Sequence, residues 1–194
     1  MNSRLPYYNH AIVSHEILFA DWPAMKLDLL NTLSQAEFVA HLGAVFEHSP
    51  WVAERAWARR PFADAPALHG AMVSVVREAE EFEQLTLIRA HPELAGREAV
   101  EGGLTVDSST EQGRLGFTAL SREEFQTMQD INLRYREKFG FPCIVALRLH
   151  ATRDSVMQTM LRAIDSERST EIERALDQIG EITRGRLDKM IGGH

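Results

Sequence analysis

The sequence predicts an all-α fold, a single-domain multi-helix bundle with one long functional loop. Apolar residues recur at helical spacing in several segments, and no segment alternates apolar and polar residues as a half-buried strand does. Capping residues, prolines and glycines mark the ends of these segments. A chain of 194 residues is long enough to bury a sizeable core. We therefore predict one domain over residues 1–194, in which residues 1–21 form an N-terminal arm.

Three helices are predicted before residue 80. The first begins at a capping box formed by Ser34 and Glu37. Its apolar face contains four residues at helical spacing, Phe38, Leu42, Val45 and Phe46. Ser49 is suited to the N-cap of the second helix, with Pro50 in the first turn. The third helix follows Pro66 and carries an apolar stripe of five residues, Leu68, Met72, Val75, Val76 and Ala79.

Four helices are predicted after residue 105. One begins near Ser108 and runs toward Phe117, and the next begins at a second capping box, Ser121 with Glu124. Gly140 is expected to end that helix in the left-handed conformation. The last two helices cover residues 155–168 and 170–191.

The short apolar run at residues 143–147 is the one ambiguous element. Periodicity alone does not distinguish a short extended segment from a buried piece of helix. The run follows Phe141 and Pro142, and the residue before a proline disfavours the α conformation. We therefore predict that residues 143–147 are extended.

Charge and cysteine content exclude several classes of partner. The chain has 21 basic and 28 acidic side chains, a formal net charge of −7, which argues against non-specific nucleic-acid binding and against docking on an anionic membrane. A local basic pocket for a small anion remains open. No segment approaches the roughly 18 to 20 apolar residues of a membrane span. Cys143 is the single cysteine, so a reducing compartment is expected, and we predict a cytoplasmic protein.

His91 is the first candidate functional residue, because it occupies the last position that the backbone allows on a helix. Pro92 disfavours the α conformation at the residue before it, so a helix through Phe82, Leu85 and Ile88 should end at about His91. The imidazole then faces whatever the following loop encloses. A structural alternative stays open, because a histidine at a helix C-terminus often only hydrogen-bonds the last carbonyls or interacts with the helix dipole.

The loop after His91 supplies the next candidates. It is rich in Gly, Thr, Ser and Asp, and a loop of about fifteen residues in a helical domain is more often functional than a plain connector. It leads to Ser108, Glu111 and Gln112, a hydroxyl, a carboxylate and an amide. Ser108 and Glu111 also match a capping box, which occurs at helix starts whether or not a ligand binds. Uncapped N–H groups at such a start attract anions, so both roles are compatible.

Arg186 lies within the apolar stripe of the last helix. That stripe contains six residues, Ile172, Ala175, Leu176, Ile179, Ile182 and Met190. Arg184 falls on the opposite face. A guanidinium turned inward needs a protein carboxylate, a run of carbonyls or an anionic ligand. An ordinary buried ion pair, or a side chain that snorkels out from the helix end, is the alternative to a binding site. The neighbouring Gly185 permits a close approach to the helix.

Other kinds of chemistry are not indicated. None of the remaining histidines forms the His-Glu-x-x-His arrangement typical of zinc sites, so we expect no metal. Gly102 and Gly103 lack the pattern of a phosphate-binding loop. Cys143 lies in an apolar run, which favours an inert thiol over a nucleophile.

Several spaced blocks resemble one known family. The blocks are His-Ser-Pro-Trp-Val-Ala-Glu at 48–54, Arg-Pro-Phe at 60–62, Leu-Ile-Arg-Ala-His-Pro-Glu-Leu-Ala-Gly at 87–96, Leu-Thr at 104–105, Ser-x-x-Glu-Gln at 108–112 and Lys-Phe-Gly-Phe-Pro at 138–142. From about Ser34 to Leu187, the chain resembles the 2-oxo-4-hydroxy-4-carboxy-5-ureidoimidazoline (OHCU) decarboxylases of the uric acid pathway. It departs from the usual pattern at Glu93, where aspartate is common, and at Cys143, where an aromatic residue is common.

The resemblance implies a function and a set of site residues. The function is cofactor-independent decarboxylation of OHCU to (S)-allantoin with stereospecific protonation. The implied catalytic residues are His91, Glu111 and Arg186. The implied substrate-binding residues are Pro92, Ser108, Gln112, Cys143, Ile144, Val145, Ala146 and Leu147. Family members are commonly homodimers, so we expect a homodimer, with Trp51, Trp57 and the N-terminal arm as candidate surfaces.

A non-catalytic function is the alternative. In that case the chain is a helical module that binds a small anionic ligand through Arg186 and the helix start at Ser108. Such a module would bind its ligand saturably without releasing CO2.

Overall fold

The computed structural model describes residues 25–96 and 102–191, which contain nine α-helices, two 3-10 turns and no β-strand. The helices are α1 (Leu27–Thr32), α2 (Gln35–Leu42), α3 (Trp51–Ala56), α4 (Ala65–Arg77), α5 (Glu81–Ala90), α6 (Val106–Arg114), α7 (Arg122–Phe139), α8 (Arg153–Ile164) and α9 (Arg168–Ile191). The 3-10 turns cover Trp57–Arg59 and Leu147–Leu149. The predicted arm at residues 1–21 lies outside the described residues, as does part of the predicted loop, residues 97–101. The all-α fold class is confirmed.

The long helix α9 lies against both halves of the chain. It packs against α4 and α5, while α3 packs against α2 and α4, and α8 packs against α7. Most helices contribute apolar side chains to the core, for example Phe38 from α2, Leu68 from α4 and Ile179 from α9. Helix α6 differs, because its buried residues are the polar Ser108 and Gln112. Buried polar groups need hydrogen-bond partners, so the surroundings of α6 must supply them.

Two of the three predicted capping boxes and the glycine cap are confirmed. Ser34 accepts a hydrogen bond from the Glu37 N–H, and the Glu37 carboxylate accepts one from the Ser34 N–H at 2.9 Å. Ser121 and Glu124 make the same reciprocal pair at the start of α7. Gly140 ends α7 with φ of +78°, the left-handed conformation predicted for it. These local signals fix both ends of the longest helix in the middle of the chain.

Two predictions in the N-terminal region are wrong. Helix α2 ends at Leu42, so the predicted residues Val45 and Phe46 are buried but lie in a non-helical stretch. Ser49 does not cap α3, whose N-cap is Pro50 without a side-chain hydrogen bond. Helix α1 was not predicted, because its six residues bury only Leu30 and carry no apolar stripe. Val45 and Phe46 are buried because of tertiary packing. Their helical spacing from Phe38 and Leu42 therefore does not mean that they belong to the same helix.

The segment after Pro142 is non-helical through Ala146, as predicted, but the prediction is wrong for Leu147, which begins the second 3-10 turn. Side chains of α9 bind its backbone: Arg174 donates to the Ile144 carbonyl at 2.9 Å, and the Gln178 amide oxygen accepts from the Ala146 N–H at 2.9 Å. Side chains therefore satisfy backbone groups that a neighbouring strand satisfies in a sheet. We call residues 143–147 the wall segment, because they form one side of the cavity described below.

Alanine at Gly140 and at Gly70 should change stability in opposite directions. The left-handed φ of Gly140 disfavours a Cβ, so Gly140→Ala should lower the free energy of unfolding by roughly 1 kcal/mol. Gly70 lies inside α4 with nothing within 4 Å of an added Cβ, so Gly70→Ala should raise it by roughly 0.5–1 kcal/mol. Urea unfolding followed by circular dichroism measures both changes. A Gly140→Ala protein as stable as the wild type would contradict the proposed constraint at this helix end.

Candidate active site

A cavity lies between the end of α5, helix α6, the wall segment and α9. It encloses about 400 Å³ of empty space, including its open mouth. The predicted residues that line it are His91, Pro92, Ser108, Glu111, Gln112, Cys143, Ile144, Val145, Leu147 and Arg186. Ala146 is buried but is not among the lining residues, whereas Leu94 and Ile182 line the cavity without having been predicted. Residues nearly a hundred positions apart in the chain therefore meet around one small space.

His91 uses one ring nitrogen in the fold and keeps the other free. Helix α5 ends at Ala90 and His91 takes an extended conformation, as its position before Pro92 predicts. Its Nδ1 lies 2.9 Å from the Leu87 carbonyl oxygen. Because a carbonyl only accepts, Nδ1 carries the proton and Nε2 carries a lone pair. Nε2 is buried and has no hydrogen-bond partner among the described residues. An unpaired buried polar atom is rare, and here it belongs to a residue that lines the cavity.

The environment keeps the imidazole neutral. Burial lowers the pKa of His91 from 6.5 to about 4, although the hydrogen bond to Leu87 acts in the opposite direction. The charge of Glu47 also raises this pKa, whereas the charges of Arg186 and His48 lower it. At neutral pH the resting site therefore presents the lone pair of a neutral imidazole.

Helix α6 begins earlier than predicted, which changes the roles of two residues. Its N-cap is Thr105, whose hydroxyl accepts from the Ser108 N–H at 3.3 Å. The predicted capping box of Ser108 and Glu111, with an anion-binding helix start at Ser108, is therefore wrong. Both residues lie within the helix, and their side chains instead bind Arg186. Thr105 satisfies the helix end and so leaves the Ser108 hydroxyl and the Glu111 carboxylate available for the site.

Arg186 is turned inward as predicted, and every N–H of its guanidinium has an acceptor. Nε and Nη2 donate to the two carboxylate oxygens of Glu111 at 3.1 and 3.0 Å. Nη1 donates to Glu47 at 2.6 Å and to the Val45 carbonyl at 3.4 Å, and Nη2 also donates to the Ser108 hydroxyl at 3.2 Å. A guanidinium has five N–H groups. While Glu111 stays in place, Arg186 therefore has no donor left for a ligand.

Glu47 is a charged residue of the site that the sequence did not indicate. Its side chain is 2% exposed, and it accepts hydrogen bonds from Thr105 at 2.8 Å, from Ser108 at 3.2 Å and from Arg186 at 2.6 Å. Burial opposes ionisation, but the charge of Arg186 prevails and lowers the pKa of Glu47. Glu47 lies in the non-helical stretch after α2, where no periodicity indicates which side chains point inward. The acidic residue directly after two buried apolar residues, Val45 and Phe46, was the only signal.

Gln112 supports the turn that follows His91. Its amide oxygen accepts from the Ala95 N–H at 3.0 Å, and its amide nitrogen donates to the Glu93 carbonyl at 3.4 Å. Ala95 has φ of +50°, a conformation that costs free energy for a residue with a side chain. Gln112 therefore stabilises this turn as well as lining the cavity.

The wall segment is apolar and chemically inert. Burial raises the pKa of the Cys143 thiol to about 11, which agrees with the prediction that this cysteine is not a nucleophile. Behind the wall, the Tyr135 hydroxyl donates to Glu171 at 2.6 Å, and Arg174 donates to the same carboxylate oxygen at 2.8 Å. Arg174 also binds the wall backbone at Ile144, so this buried network fixes the position of the cavity side.

The charges of the site are unbalanced by one. Arg186 is the cation, Glu47 and Glu111 are the two carboxylates, and His91 is neutral, so the net charge is −1. Within residues 25–96 and 102–191, no three His, Cys, Asp or Glu side chains are grouped as a metal site requires. A neutral imidazole beside an arginine-bound carboxylate is suited to proton transfer on a small polar molecule.

Comparisons with known proteins agree on one family. A family model described as OHCU decarboxylase matches residues 31–188. The chain is 39% identical over 163 residues to 2-oxo-4-hydroxy-4-carboxy-5-ureidoimidazoline decarboxylase from Haloferax volcanii, covering 84% of this chain and 94% of that protein. It is 32% identical over 170 residues to the mouse (Mus musculus) protein of the same name, covering 88% of this chain and 95% of that protein.

The fold is also similar to solved structures. A crystal structure of (S)-allantoin synthase matches with a TM-score of 0.66 and 26% identity, over 86% of this chain and 54% of that chain. A crystal structure of OHCU decarboxylase in the presence of (S)-allantoin matches with a TM-score of 0.60, over 82% of this chain and 99% of that chain. Its sequence identity is 16%, so this second match supports the fold alone.

Acid should destabilise the protein through His91. The pKa of this imidazole is near 6.5 in the unfolded chain and about 4 in the folded one, so between these values the unfolded state binds a proton that the folded state does not. The free energy of unfolding should therefore fall as the pH is lowered from about 6.5 to about 4. Urea unfolding at about pH 7 and about pH 5 measures the fall in the wild type and in His91→Gln. Equal falls in the two proteins would contradict the assignment.

Proposed function

The chain belongs to the OHCU decarboxylase family, and on this basis we propose that it removes CO2 from OHCU and forms (S)-allantoin, the last step from urate to allantoin. One observation at the site carries the proposal. His91 has a buried Nε2 that no side chain or backbone group in residues 25–96 and 102–191 binds, and it lines a cavity that is also lined by Glu111 and Arg186. A neutral nitrogen base in a small polar cavity is what controlled protonation of a reaction intermediate requires.

No cofactor is expected, because the substrate provides its own electron sink. The carbon of OHCU that bears the carboxylate also bears a hydroxyl and is bonded to the carbon of a C=N bond. When the bond to CO2 breaks, its electron pair forms a new C=C bond, and the electrons of the C=N bond move to nitrogen. That nitrogen takes one proton from solvent. The product of this step is an enol, which must be protonated on one face to give (S)-allantoin.

His91 is the proposed proton carrier. Its neutral Nε2 accepts the hydroxyl proton of the enol, the oxygen becomes a carbonyl, and the imidazolium gives a proton to the neighbouring ring carbon. The overall reaction then consumes one proton for each CO2 released, and His91 returns to its neutral form. Because Nδ1 is bound to Leu87, the ring is held in one tautomer and one orientation, which favours delivery to one face.

Glu111, Ser108 and Arg186 are proposed to position the substrate. The Glu111 side chain is 25% exposed and lines the cavity, so its carboxylate is available to hydroxyl and ureido groups. Ser108 offers a hydroxyl at the same surface. Arg186 has no free N–H, so it is proposed to attract the substrate anion as a charge and to orient Glu111 through two hydrogen bonds.

The remaining predicted contacts are proposed to shape the cavity. Pro92 belongs to the turn after His91, Gln112 supports that turn from α6, and the wall segment forms another side of the cavity. Cys143, Ile144, Val145 and Leu147 are favoured as substrate contacts over Ala146, because they line the cavity and Ala146 does not. An apolar wall excludes water from the reacting carbon, which protects the intermediate from unselective protonation.

The non-catalytic alternative is separated from this function by one assay. OHCU is generated from urate by the upstream enzymes, and circular dichroism follows whether the protein accelerates the appearance of (S)-allantoin. A catalyst accelerates CO2 release and produces one enantiomer. A module that only binds an anion changes neither the rate nor the optical activity.

We also propose a homodimer in the cytoplasm. The single cysteine, Cys143, is buried and supports a reducing compartment. No helix within residues 25–96 and 102–191 combines the length and apolarity that a bilayer crossing needs. Trp51 and Trp57, the predicted dimer surfaces, are half-buried and stack against Arg55 and Arg60 of the same chain. Sedimentation equilibrium measures the oligomeric state, and a monomer at micromolar concentration would contradict the dimer.

Replacing His91 should abolish most of the turnover. Loss of a positioned general acid–base group typically costs about 10²–10⁴-fold, so His91→Gln should lower kcat by that order while the variant still binds (S)-allantoin. The circular dichroism assay measures the rate. His69→Gln is the matched control. His69 is a partly buried histidine that hydrogen-bonds Thr183, and it does not line the cavity. Full turnover by His91→Gln would refute the assignment.

The pH dependence should reveal the unusually acidic imidazole. Because the active form of His91 is neutral and its pKa is about 4, kcat/KM should stay level from neutral pH down to about pH 5. A histidine of ordinary pKa, 6.5, would already be mostly protonated at about pH 5 and would have lost most of the activity. An acid limb centred near pH 6.5 would contradict this description of the site.

A further inference from the structure

Glu47 lies next to the cavity residues Ser108 and Arg186 and hydrogen-bonds both, but it does not line the cavity itself. Its side chain is 2% exposed, whereas that of Glu111 is 25% exposed. Two hydroxyls and the Arg186 guanidinium bind Glu47, whereas the hydrogen bonds to Glu111 come from Arg186 alone among the described contacts. Of the two carboxylates on Arg186, one is therefore fixed and the other is placed to respond to a ligand.

We propose that Glu47 is a positioning residue for the decarboxylation, which acts through Arg186 by permanently compensating its charge so that the guanidinium does not bind the substrate carboxylate tightly. This inference rests on the proposed function. It assigns the two carboxylates different tasks. Glu47 holds and neutralises Arg186, while Glu111 exchanges hydrogen bonds with the substrate.

The need for such compensation follows from how charge moves in the reaction. OHCU carries its negative charge on the carboxylate, and this charge leaves the carboxylate as CO2 forms. An uncompensated cation beside the carboxylate therefore stabilises the bound substrate more than the transition state. Interactions that are stronger in the ground state lower KM but also lower kcat. A fixed carboxylate partner on Arg186 prevents this loss of kcat, and Arg186 still orients Glu111.

The hydrogen bonds explain why Glu47 remains in place when Glu111 moves. Thr105 and Ser108 donate to its oxygens from α6, and Arg186 donates from α9. These contacts come from two elements other than the stretch that contains Glu47. A shift of Glu47 would therefore break hydrogen bonds to both α6 and α9. Leaving Arg186 without this partner would also leave part of its buried charge uncompensated.

Replacing Glu47 with glutamine tests the inference, because glutamine keeps the shape and removes the charge. The net charge of the site changes from −1 to 0, and Arg186 is then paired with Glu111 alone. For Glu47→Gln we expect KM for OHCU to fall by about tenfold and kcat to fall by a similar factor. Inhibition by (S)-allantoin, which is neutral and has no carboxylate, should stay the same. Loss of structure alone does not lower KM.

The pKa of His91 gives a second readout, and its measurement needs no substrate. The charged groups that act on this imidazole are Glu47, Arg186 and His48, and Glu47 is the one that favours protonation. Removing the Glu47 charge should therefore lower the pKa of His91 further. An NMR titration of the ligand-free wild type and Glu47→Gln compares the two values. An unchanged or raised pKa in the variant would overturn the proposed charge effect.

Two further variants separate charge from shape. Glu47→Asp keeps the charge, so its KM should stay closer to that of the wild type than the KM of Glu47→Gln does, and a KM as low as that of Glu47→Gln would overturn the proposal. Glu181→Gln is the matched control, because it removes one negative charge from a half-buried, arginine-paired residue of α9, the helix of Arg186, outside the cavity. Its KM should equal that of the wild type. An equal fall in Glu181→Gln would assign the effect to overall charge.

A double-mutant cycle tests whether Glu47 acts through Arg186. In an Arg186→Gln background there is no cation to compensate, so adding Glu47→Gln should no longer lower KM. If the same fall in KM persists, Glu47 does not act through Arg186 and the inference fails. Absence of decarboxylation by the wild type would instead refute the proposed function, and the NMR titration would still report on the charge of Glu47.

Discussion

The buried guanidinium of Arg186 joins three distant parts of the chain. It binds Glu47 in the stretch after α2 and binds Ser108 and Glu111 in α6, and it extends from near the C-terminal end of α9. Burying a charge costs several kcal/mol, and a buried ion pair contributes little net stability. The main effect of the Arg186 guanidinium is on geometry, because a planar group with five donors fixes the positions of its acceptors. The cavity exists in its present form because these three elements must meet at one point.

Among the described residues that line the cavity, one buried side-chain polar atom has no hydrogen-bond partner, although the network around it satisfies the others. Thr105 caps α6 and also donates to Glu47, while Gln112 holds the turn after His91. Against this background the free Nε2 of His91 is the exception. Because the neighbouring polar groups are hydrogen-bonded to one another, they favour a single orientation of the imidazole. In the function proposed for His91, that orientation would direct the proton to one face of the planar intermediate.

Burial has two chemical consequences in the same small space. It makes the imidazole a weak base, neutral well below neutral pH, and it makes the Cys143 thiol a poor acid. Neither group is charged when the substrate arrives, and the charges that remain belong to Arg186 and its two carboxylates. A neutral base and an apolar wall suit a reaction in which the carboxylate loses its charge, because tight solvation of that charge would slow the step. The site therefore combines firm positioning with weak electrostatic attraction.

The sequence by itself determined the all-α fold, the C-terminal end of α5, both ends of α7 and the inward orientation of Arg186, because these depend on local rules of helix periodicity, capping and proline geometry. It also indicated nearly all of the cavity residues, through blocks that resemble one family. Only the tertiary structure decided that Glu47 is part of the site, that Thr105 rather than Ser108 caps α6, and that every N–H of Arg186 is already occupied. The Thr105 cap is a local contact, but it matters to the site only because Arg186 binds Ser108 and Glu111 instead. The contacts of Glu47 and Arg186 join residues 58 to 141 positions apart, some of them in non-helical backbone, where no periodic pattern records which side chains face each other.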